Sequence, residues 1–515
     1  MLKSSKALAF RCVISAAIII ITLPLIYYFC LKMTGGLYYL KALNNYRDGY
    51  YGISLQNLNK ALKYLGAEPY IYKELGEVYH KLSNLKNTAQ EALALALKSR
   101  DSFITAGKLN PIDVEAAYGT ARSEFRIEMI EKIINTGTND SGVAAKKWFQ
   151  KAISLRPNSV TYRYGMLNYL AFIGETGAII EQCKELARIY PQSYYNLRKE
   201  PFWSEDVKNT VEQGLQKAVE EGYSVETALD ALSALYAEDT RWPDAISALK
   251  ESMTYRTFED KSDDLLKLGY YHLKNNNPEK AIDYFIRGLK ESRNRDGHFN
   301  TVYNYYKKAD MLTGFTDLYD KCAESFMVTV DMRMTYARAM MDLEKYDKAR
   351  ELLIKANREE SNDEAFYLLA RIAEKEKDWD SMELLIQRAT VLDPDNEQYH
   401  RIFLNILVRM KKWKSAEKEA GLVIQYNRNP SPHDFHRRAS IRWNQKNYKG
   451  AASDWRNAIS LKPNQASFYA QAAEAYAKQD YYPIAAEYYK KALALDPNNE
   501  KYRKRYDELG LRGKD

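Results

Sequence analysis

Small and aromatic residues recur along the chain at a fixed distance. Pro463 and Pro497 lie 34 residues apart, and three positions before each of them repeat as a set: Ala451, Trp455 and Ala458, then Ala485, Tyr489 and Ala492. Spacings of three and four residues place side chains on one face of an α-helix. Proline lacks the backbone N–H that a helix interior needs, so it ends the second helix of a unit. The pattern predicts pairs of antiparallel helices stacked one after another.

The repeat divides the chain into thirteen units, which begin near residues 35, 69, 112, 159, 192, 226, 262, 296, 330, 363, 397, 432 and 466. Units 192–225 and 296–329 match the pattern weakly. Insertions are expected in 80–110 and 125–144, and the latter contains a polar loop (NTGTNDSG, residues 135–142). The stretch 500–511 is amphipathic and charged, as expected of a helix that caps a repeat array.

Composition favours helices over sheets. Gly (23) and Pro (14) are scarce among the 515 residues, whereas an all-β fold needs many tight turns. Tyr is abundant (42), and we expect most Tyr side chains to fill the space between neighbouring helix pairs. Hydrophobic residues make up 46% and charged residues 28% of the chain, which excludes disorder of the whole protein.

An uncharged stretch of 20 residues separates Arg11 from Lys32. A helix of this length spans about 30 Å, the thickness of a bilayer core. Tyr27 and Tyr28 lie near its end, and aromatic residues are enriched at membrane interfaces. The alternative is a cleaved signal peptide, which has a shorter apolar run and small residues before the cut. Cys30 suggests a lipoprotein, but bulky residues precede it where small ones are required.

Basic residues indicate the orientation of this segment. Lys3, Lys6 and Arg11 crowd the short N-terminal flank, and cytoplasmic flanks carry an excess of Lys and Arg. We therefore expect residues 1–11 in the cytoplasm, a signal-anchor helix over 12–31 in the inner (cytoplasmic) membrane, and a periplasmic or exoplasmic body. Four of the eight net positive charges belong to the first 36 residues. The remaining chain is close to neutral, which argues against nucleic acid as its partner.

The repeat resembles the tetratricopeptide repeat (TPR), which has a large residue at position 4, a small one at 8, Tyr at 11, Ala at 20, an aromatic residue at 24, Ala at 27 and Pro at 32. The resemblance implies an all-α fold, a right-handed α-solenoid of about thirteen TPR hairpins with a C-terminal capping helix, preceded by one transmembrane helix. The predicted body comprises an N-terminal TPR-like array with insertions (35–225), a C-terminal TPR array (226–499), and a capping helix with its tail (500–515).

In TPR proteins the first helix of each hairpin lines the concave face, chiefly through positions 2, 5, 9 and 12. Arginine and aromatic side chains are the types that anchor peptide segments. Applied to the four units that begin at 330, 363, 397 and 432, the resemblance implies these partner-binding residues: Arg338, Tyr367, Arg371, Arg401, Asn405, His436 and Trp443. The alternative is that these residues are solvated and bind nothing.

Some TPR domains clamp the C-terminal carboxylate of a partner with basic and amide side chains from three successive units. Arg401 and Asn405 match the first unit. The next unit has Arg437 where Asn is needed, and the third has Ser467 and Gln471 where Lys and Arg are needed. The clamp is incomplete, so its specificity for chaperone tails is not expected here.

Catalytic, cofactor and metal chemistry is not indicated. The sequence contains no GxxxxGK[ST], GxGxxG, HExxH, GxSxG or CxxC motif, and we predict no enzymatic activity, no cofactor and no metal. His433 and His436 share a helix face, but two ligands make no zinc site. Cys183 and Cys322 are 139 residues apart, about four repeats, so we expect packing residues and no disulfide.

The predicted function is a membrane-anchored scaffold that binds extended or helical segments of protein partners in a concave groove. One N-terminal anchor followed by TPR units is similar to bacterial envelope-assembly TPR proteins, which favours a role in cell-envelope or secretion assembly. One alternative is a regulator or component of lipopolysaccharide or exopolysaccharide biosynthesis and export, with polysaccharide-assembly proteins as partners. Another is a cytosol-facing import or chaperone-docking receptor.

Overall fold

The computed structural model describes residues 2–134, 144–256 and 260–512, and within these ranges the side chains of residues 20–509. The predicted polar loop over 135–142 lies outside the described residues. Across the described ranges the chain forms 27 α-helices and no β-strand. This confirms the all-α prediction.

The first compact unit is Met1–Phe258. Helices that follow one another pack side by side, α1 on α2, α3 on α4 and α11 on α12. The helices are α1 (Leu2–Arg47), α2 (Tyr51–Leu65), α3 (Pro69–Asn84), α4 (Ala89–Leu109), α5 (Val114–Ile134), α6 (Ala144–Leu155), α7 (Val160–Ile173), α8 (Thr176–Ile189), α9 (Tyr194–Leu197), α10 (Glu205–Glu220), α11 (Val225–Glu238) and α12 (Trp242–Ser252).

The second compact unit is Glu259–Asp515. Its helices also pack in sequential pairs, except that α15 packs chiefly on α17 and α16 on α14, and the last helix packs on the one before it. They are α13 (Ser262–Lys274), α14 (Pro278–Glu291), α15 (Arg295–Lys308), α16 (Phe315–Ser325), α17 (Val330–Asp342), α18 (Tyr346–Glu359), α19 (Asp363–Glu376), α20 (Trp379–Leu392), α21 (Glu397–Arg409), α22 (Trp413–Tyr426), α23 (Pro432–Asn444), α24 (Tyr448–Leu461), α25 (Ala466–Ala477), α26 (Tyr482–Leu495) and α27 (Glu500–Arg512).

The predicted unit starts agree closely with the helices. Twelve of the thirteen fall within two residues of the start of a helix, which confirms a repeat of helical hairpins. The start near residue 35 lies inside α1, and near residue 192 the first helix of the hairpin is reduced to the four residues of α9. The expected insertions contribute to longer helices, since α4 and α5 have 21 residues each.

A residue with positive φ recurs at the turn inside each hairpin of the second unit. It ends the first helix and lets the chain reverse into the second. Glycine is the usual residue in this left-handed conformation because it has no Cβ, yet here the position is always polar. The residues, with φ between 52° and 62°, are Asn276, Asp310, Glu344, Lys377, Lys411, Lys446 and Asp480.

Close approach of helices in the first unit depends on two glycines. The ring of Phe103 on α4 is 1% exposed and lies between Gly76 on α3 and Gly119 on α5. A Cβ at Gly76 would lie 2.6 Å from this ring and one at Gly119 2.3 Å. Glycine is therefore the residue that lets an aromatic ring fill the space between three helices.

Two buried side chains, His400 and Arg163, bind the turn that precedes their own hairpin. His400, at the start of α21, contacts Glu419 on α22 through Nδ1 (2.6 Å) and the carbonyl oxygen of Pro394 through Nε2 (2.8 Å). Arg163 on α7 donates in the same way from Nε to the carbonyl oxygen of Pro157 (2.9 Å). Each contact satisfies a carbonyl group in the turn before the helix, so it fixes how one hairpin leads into the next.

The cysteines and the histidine pair serve in packing. Cys183 and Cys322 are fully buried and unpaired, and burial raises the pKa of each thiol to about 12. His433 and His436 both lie against the ring of Phe468, with centroid distances of 6.0 and 5.4 Å. These positions agree with the packing roles that the sequence suggests.

The N-terminal helix α1 is continuous for 46 residues and contains Pro24 without a break. Its stretch Ile20–Arg47 is long and apolar enough to cross a membrane. The C-terminal part belongs to the first hairpin, because Ala42 is 1% exposed and Lys32 donates from Nζ to the carbonyl oxygen of Leu65 on α2 (2.6 Å). The apolar segment and the first repeat helix are therefore one element.

Candidate functional site

A groove of 510 Å³ lies at the C-terminal end of the second unit. Its floor and walls come from the first helices of the last hairpins, α23 and α25, and from the capping helix α27, with one aromatic side chain each from α24 and α26. The residues that define its chemistry are Ser440, Trp443, Gln471, Glu474, Tyr489 and Arg505.

The lining follows the concave positions of the repeat. Ser440 and Trp443 are positions 9 and 12 of the unit that begins at 432, and both line the groove. The same rule, applied one unit further, gives Ser467 and Glu474, which also line it. Applied to the capping helix, it gives Lys501, again a lining residue. The groove therefore lies where the position rule of the repeat expects the concave face of the last two hairpins and the cap.

One wall of the groove is aromatic. The Trp443 ring is half-buried and lies 5.0 Å from Tyr448 and 5.9 Å from Trp455, measured between ring centroids. Trp455 is 3% exposed and donates from Nε1 to Nδ1 of His436 (3.1 Å). This bond requires an unprotonated Nδ1, and burial, followed by the charge of His433, lowers the pKa of His436. The neutral imidazole of His436 thus fixes the position of Trp455 in this wall.

The opposite wall is charged and internally paired. Arg505 donates to Glu474 (2.7 Å) and to Glu508 (2.8 Å), and the Tyr489 hydroxyl donates to Glu474 (2.6 Å). Burial raises the pKa of Glu474, but the hydrogen bonds from Arg505 and Tyr489 outweigh it and hold the pKa below its ordinary value. Glu474 therefore stays ionised at neutral pH.

Two lining side chains are less engaged than the rest. The Gln471 side chain lies close enough to His436 to oppose the lowering of its pKa, and its buried Oε1 makes no hydrogen bond of standard geometry within the described chain. Lys501 is exposed and forms no ion pair with any described residue. A carbonyl acceptor between an aromatic wall and an unpaired ammonium group suits a peptide, because a peptide carries backbone N–H donors as well as side chains.

Of the residues predicted from the sequence, Trp443 lines this groove and His436 supports its aromatic wall. The other five lie on earlier first helices, α17, α19 and α21. The structure does not bring them into this groove. Asn405 is exposed on α21.

The arginines among them are engaged within the chain. Arg338 donates to Glu364 (2.7 Å) on the next first helix. Arg401 donates to Asp434 (2.8 Å), also on the next first helix, and to Glu397. Their charges connect neighbouring hairpins.

Arg371 is also paired, but only within its own helix. It donates to the Tyr367 hydroxyl and lies beside Glu374, at 3.1 Å in both cases. Both the arginine and its carboxylate partner remain largely exposed on α19. Of the three predicted arginines, Arg371 is the one whose charge is not shared with a neighbouring hairpin.

Among the groove residues that were not predicted are Gln471, Glu474, Tyr489 and Arg505. The rule that gives Trp443 identifies Glu474 at position 9 of the last unit. Tyr489 is the aromatic position of the repeat, but that Tyr489, Gln471 and Arg505 meet in one groove follows from the packing of α25, α26 and α27, for which the sequence offers no local signal.

Comparison with known proteins identifies the repeat. Residues 466–499 match the family model of the tetratricopeptide repeat. No curated protein matches the chain.

Among solved structures, the chain is similar to YrrB, a TPR protein with an unusual peptide-binding site, at 17% identity over 38% of this chain and 97% of that one (TM-score 0.31). It is also similar to yeast Tom70, at 15% identity over 95% and 96% (TM-score 0.28). A third similarity is to the APC/C hetero-tetramer Cut9–Hcn1, at 13% identity over 92% and 96% (TM-score 0.26).

Proposed function

We propose that this tetratricopeptide-repeat chain is a membrane-anchored scaffold that binds an extended segment of a protein partner in its C-terminal groove. Repeats of this type are typical of non-enzymatic proteins that mediate protein–protein interactions, because stacked hairpins present a long surface of first-helix side chains. The observation that carries the proposal is a 510 Å³ groove with a half-buried tryptophan on one wall.

The chemistry of the groove favours a peptide with one apolar side chain and an acidic neighbour. An apolar side chain placed against Trp443 removes aromatic surface from water, and tryptophan is a frequent centre of binding energy. Gln471 Oε1 accepts a backbone N–H of the segment. Lys501 supplies a positive charge at the rim, where a carboxylate contributes to orientation and association rate more than to affinity.

The membrane part of the proposal is supported by α1. Its stretch Ile20–Arg47 contains a window with the length and hydropathy of a membrane span, and the proposed span over 12–31 ends where the packing of α1 on the first hairpin begins at Lys32. Lys3, Lys6 and Arg11 favour the N-terminus in the cytoplasm, which directs the repeats to the exoplasmic side, the periplasm in a bacterium. Fixing the groove at a membrane raises the local concentration of partners that are also membrane-bound.

An anchored scaffold on that side suits cell-envelope or secretion assembly. The alternative in lipopolysaccharide or exopolysaccharide synthesis and export needs the same orientation and differs in the partner. A cytosol-facing import or chaperone-docking receptor needs the opposite orientation. The side of the membrane and the identity of the captured protein therefore separate the three roles.

The groove is tested by site-specific photocrosslinking in cells that express the full chain. Trp443→p-benzoylphenylalanine places the crosslinker on the aromatic wall, and Tyr481→p-benzoylphenylalanine places it on a turn where the side chain is 54% exposed. We expect a protein adduct, identified by mass spectrometry, from position 443 and not from position 481. Adducts that are absent from position 443, or identical at both positions, contradict the proposal.

A further inference from the structure

A second cavity, of 300 Å³, lies in the first compact unit between α3, α5 and α7. Its chemistry differs from that of the C-terminal groove, because two arginines and two amides lie among aromatic and apolar residues in its lining. No carboxylate is among its lining residues, and the polar side chains that line it are His80, Asn84, Tyr118, Arg122, Arg126 and Asn168.

Three buried nitrogen atoms of this lining have no hydrogen-bond partner within the described chain: Nε of Arg122, Nε of Arg126 and Nδ1 of His80. Buried polar groups in folded proteins are almost always paired, because an unpaired one has lost its water without a replacement. The two guanidinium Nε–H groups are donors, so a ligand that presents acceptor atoms would satisfy both of them.

The two arginines have different partners. Arg122 is bonded through Nη2 to Glu77, and its guanidinium lies 5.2 Å from the centre of the Tyr118 ring. Arg126 has only a 3.4 Å contact from Nη2 to the carbonyl oxygen of Ser83, and no described carboxylate forms an ion pair with it. The cavity therefore contains a guanidinium charge that this part of the chain does not neutralise.

From this arrangement we infer that the cavity binds the oxyanion group, a carboxylate or a phosphate, of a small ligand, held by Arg122 and Arg126. The planar guanidinium presents N–H donors in a geometry that matches carboxylate and phosphate oxygens. The amides of Asn84 and Asn168 line the same cavity and suit the polar remainder of a ligand. The cavity volume of 300 Å³ is many times the roughly 30 Å³ that a single water occupies, so it has room for more than a water molecule.

The lowered pKa of His80 agrees with a positive electrostatic potential in this cavity. Burial, followed by the charges of Arg122, Lys81 and Arg126, lowers the pKa of His80 to about 4. The imidazole is therefore neutral at pH 7. An anion between the arginines opposes their effect, so it raises this pKa.

Isothermal titration calorimetry of the detergent-solubilised full chain at pH 7 tests the site. The probes are inorganic phosphate, acetate and glucuronate, with glucose as the uncharged counterpart of glucuronate. We expect binding of the anions and none of glucose. If phosphate binds most tightly, the natural ligand is a free inorganic anion. If glucuronate binds most tightly, the natural ligand is an organic acid. No heat from any anion, or equal binding of glucose and glucuronate, overturns the inference.

Variants assign the binding to this cavity. Arg126→Gln removes the unneutralised charge and is expected to weaken anion binding at least tenfold, whereas Arg126→Lys keeps the charge and weakens it less. Arg100→Gln is the matched control, because Arg100 lies on α4 and pairs with Asp101. Asn168 is exposed, and we expect Asn168→Ala to weaken the binding of glucuronate more than the binding of phosphate. Unchanged affinity in Arg126→Gln with a native circular dichroism spectrum overturns the assignment.

The C-terminal groove and this cavity belong to different compact units and are tested by different variants. Loss of crosslinking at position 443 leaves the calorimetric result unaffected, and failure of anion binding leaves the peptide groove in place.

Discussion

At the scale of single residues, the second unit depends on a buried carboxylate. Asp454 on α24 is 1% exposed and accepts hydrogen bonds from Arg438 (2.7 Å) and Arg442 (2.9 Å) on α23. Removing one partner of such a buried network costs about 3 kcal/mol, because the remaining charges lose their counter-ion without regaining water.

We therefore expect Asp454→Asn to lower the midpoint of thermal unfolding, followed by circular dichroism at 222 nm. Asp347→Asn is the control, because the Asp347 side chain is fully exposed, and we expect it to leave the midpoint within error. Equal shifts in the two variants contradict the role assigned to Asp454.

Glu128 on α5 gives the first unit a dependence on pH. It is 7% exposed, and burial raises its pKa to about 7. The folded state then holds a proton that the unfolded state releases near pH 4.5, so the contribution of Glu128 to stability is present at low pH and is lost as the pH rises through about 7. The change is about 1.4 kcal/mol for each unit of pKa difference.

We expect the stability of Glu128→Gln relative to the native protein to increase between pH 5 and pH 8, measured by denaturant unfolding. His80 acts in the opposite sense between pH 4 and its ordinary pKa, but it is present in both proteins and cancels in the difference. A difference that is constant across this range contradicts the raised pKa.

The sequence identifies which side chains lie on the concave face but not which of them are free. Trp443 is found by its position in the repeat, as is Glu474 one unit later. The same rule selects Arg338 and Arg401, whose charges are taken up by Glu364 and Asp434 of the following units. Whether a neighbouring hairpin places a carboxylate within reach depends on stacking geometry, which the rule does not encode.

At the scale of helices and turns, the recurring positive φ carries a cost. Lys446 has φ 62°, a conformation that costs a residue with a Cβ roughly 1 kcal/mol. Lys446→Gly removes this cost and adds backbone entropy to the unfolded chain, so we expect a small gain, about 0.5 kcal/mol. Lys490→Gly on the exposed face of α26 is the control, and there we expect a loss of about 1 kcal/mol.

The gain is measured as a shift of the thermal midpoint in the full chain. A loss at Lys446 comparable to that at Lys490 shows that the side chain of Lys446 contributes more than the strain it imposes.

Most helices are predictable because the spacing of proline, alanine and aromatic residues determines where each one begins and ends. In two places the structure differs from the predicted helices, for physical reasons. Near residue 192, Pro191 and the turn before α10 leave room for only the four residues of α9. At the N-terminus, no helix-ending residue separates the apolar run from the first repeat, so α1 continues through Lys32 to Arg47.

At the scale of the whole molecule, the orientation of the body is open to a direct test. Cys183 and Cys322 are buried, so neither reports on access in the folded protein. Asp347→Cys, in a chain with Cys12→Ser and Cys30→Ser, provides one exposed thiol. We expect a membrane-impermeant maleimide to label it in intact spheroplasts. Labelling that occurs only after lysis contradicts the exoplasmic orientation and favours the cytosol-facing receptor.

The unbroken course of α1 has a mechanical consequence. Its 46 residues form a rod of about 70 Å, with one end apolar and the other packed into the first hairpin. Because the helix continues through Pro24 and the pair Gly35 and Gly36, a change in the tilt of the apolar end passes to that hairpin, less any bending at these residues. A thinner bilayer forces a long apolar helix to tilt further, so under the proposed membrane anchoring a change in lipid thickness would reorient the first repeats.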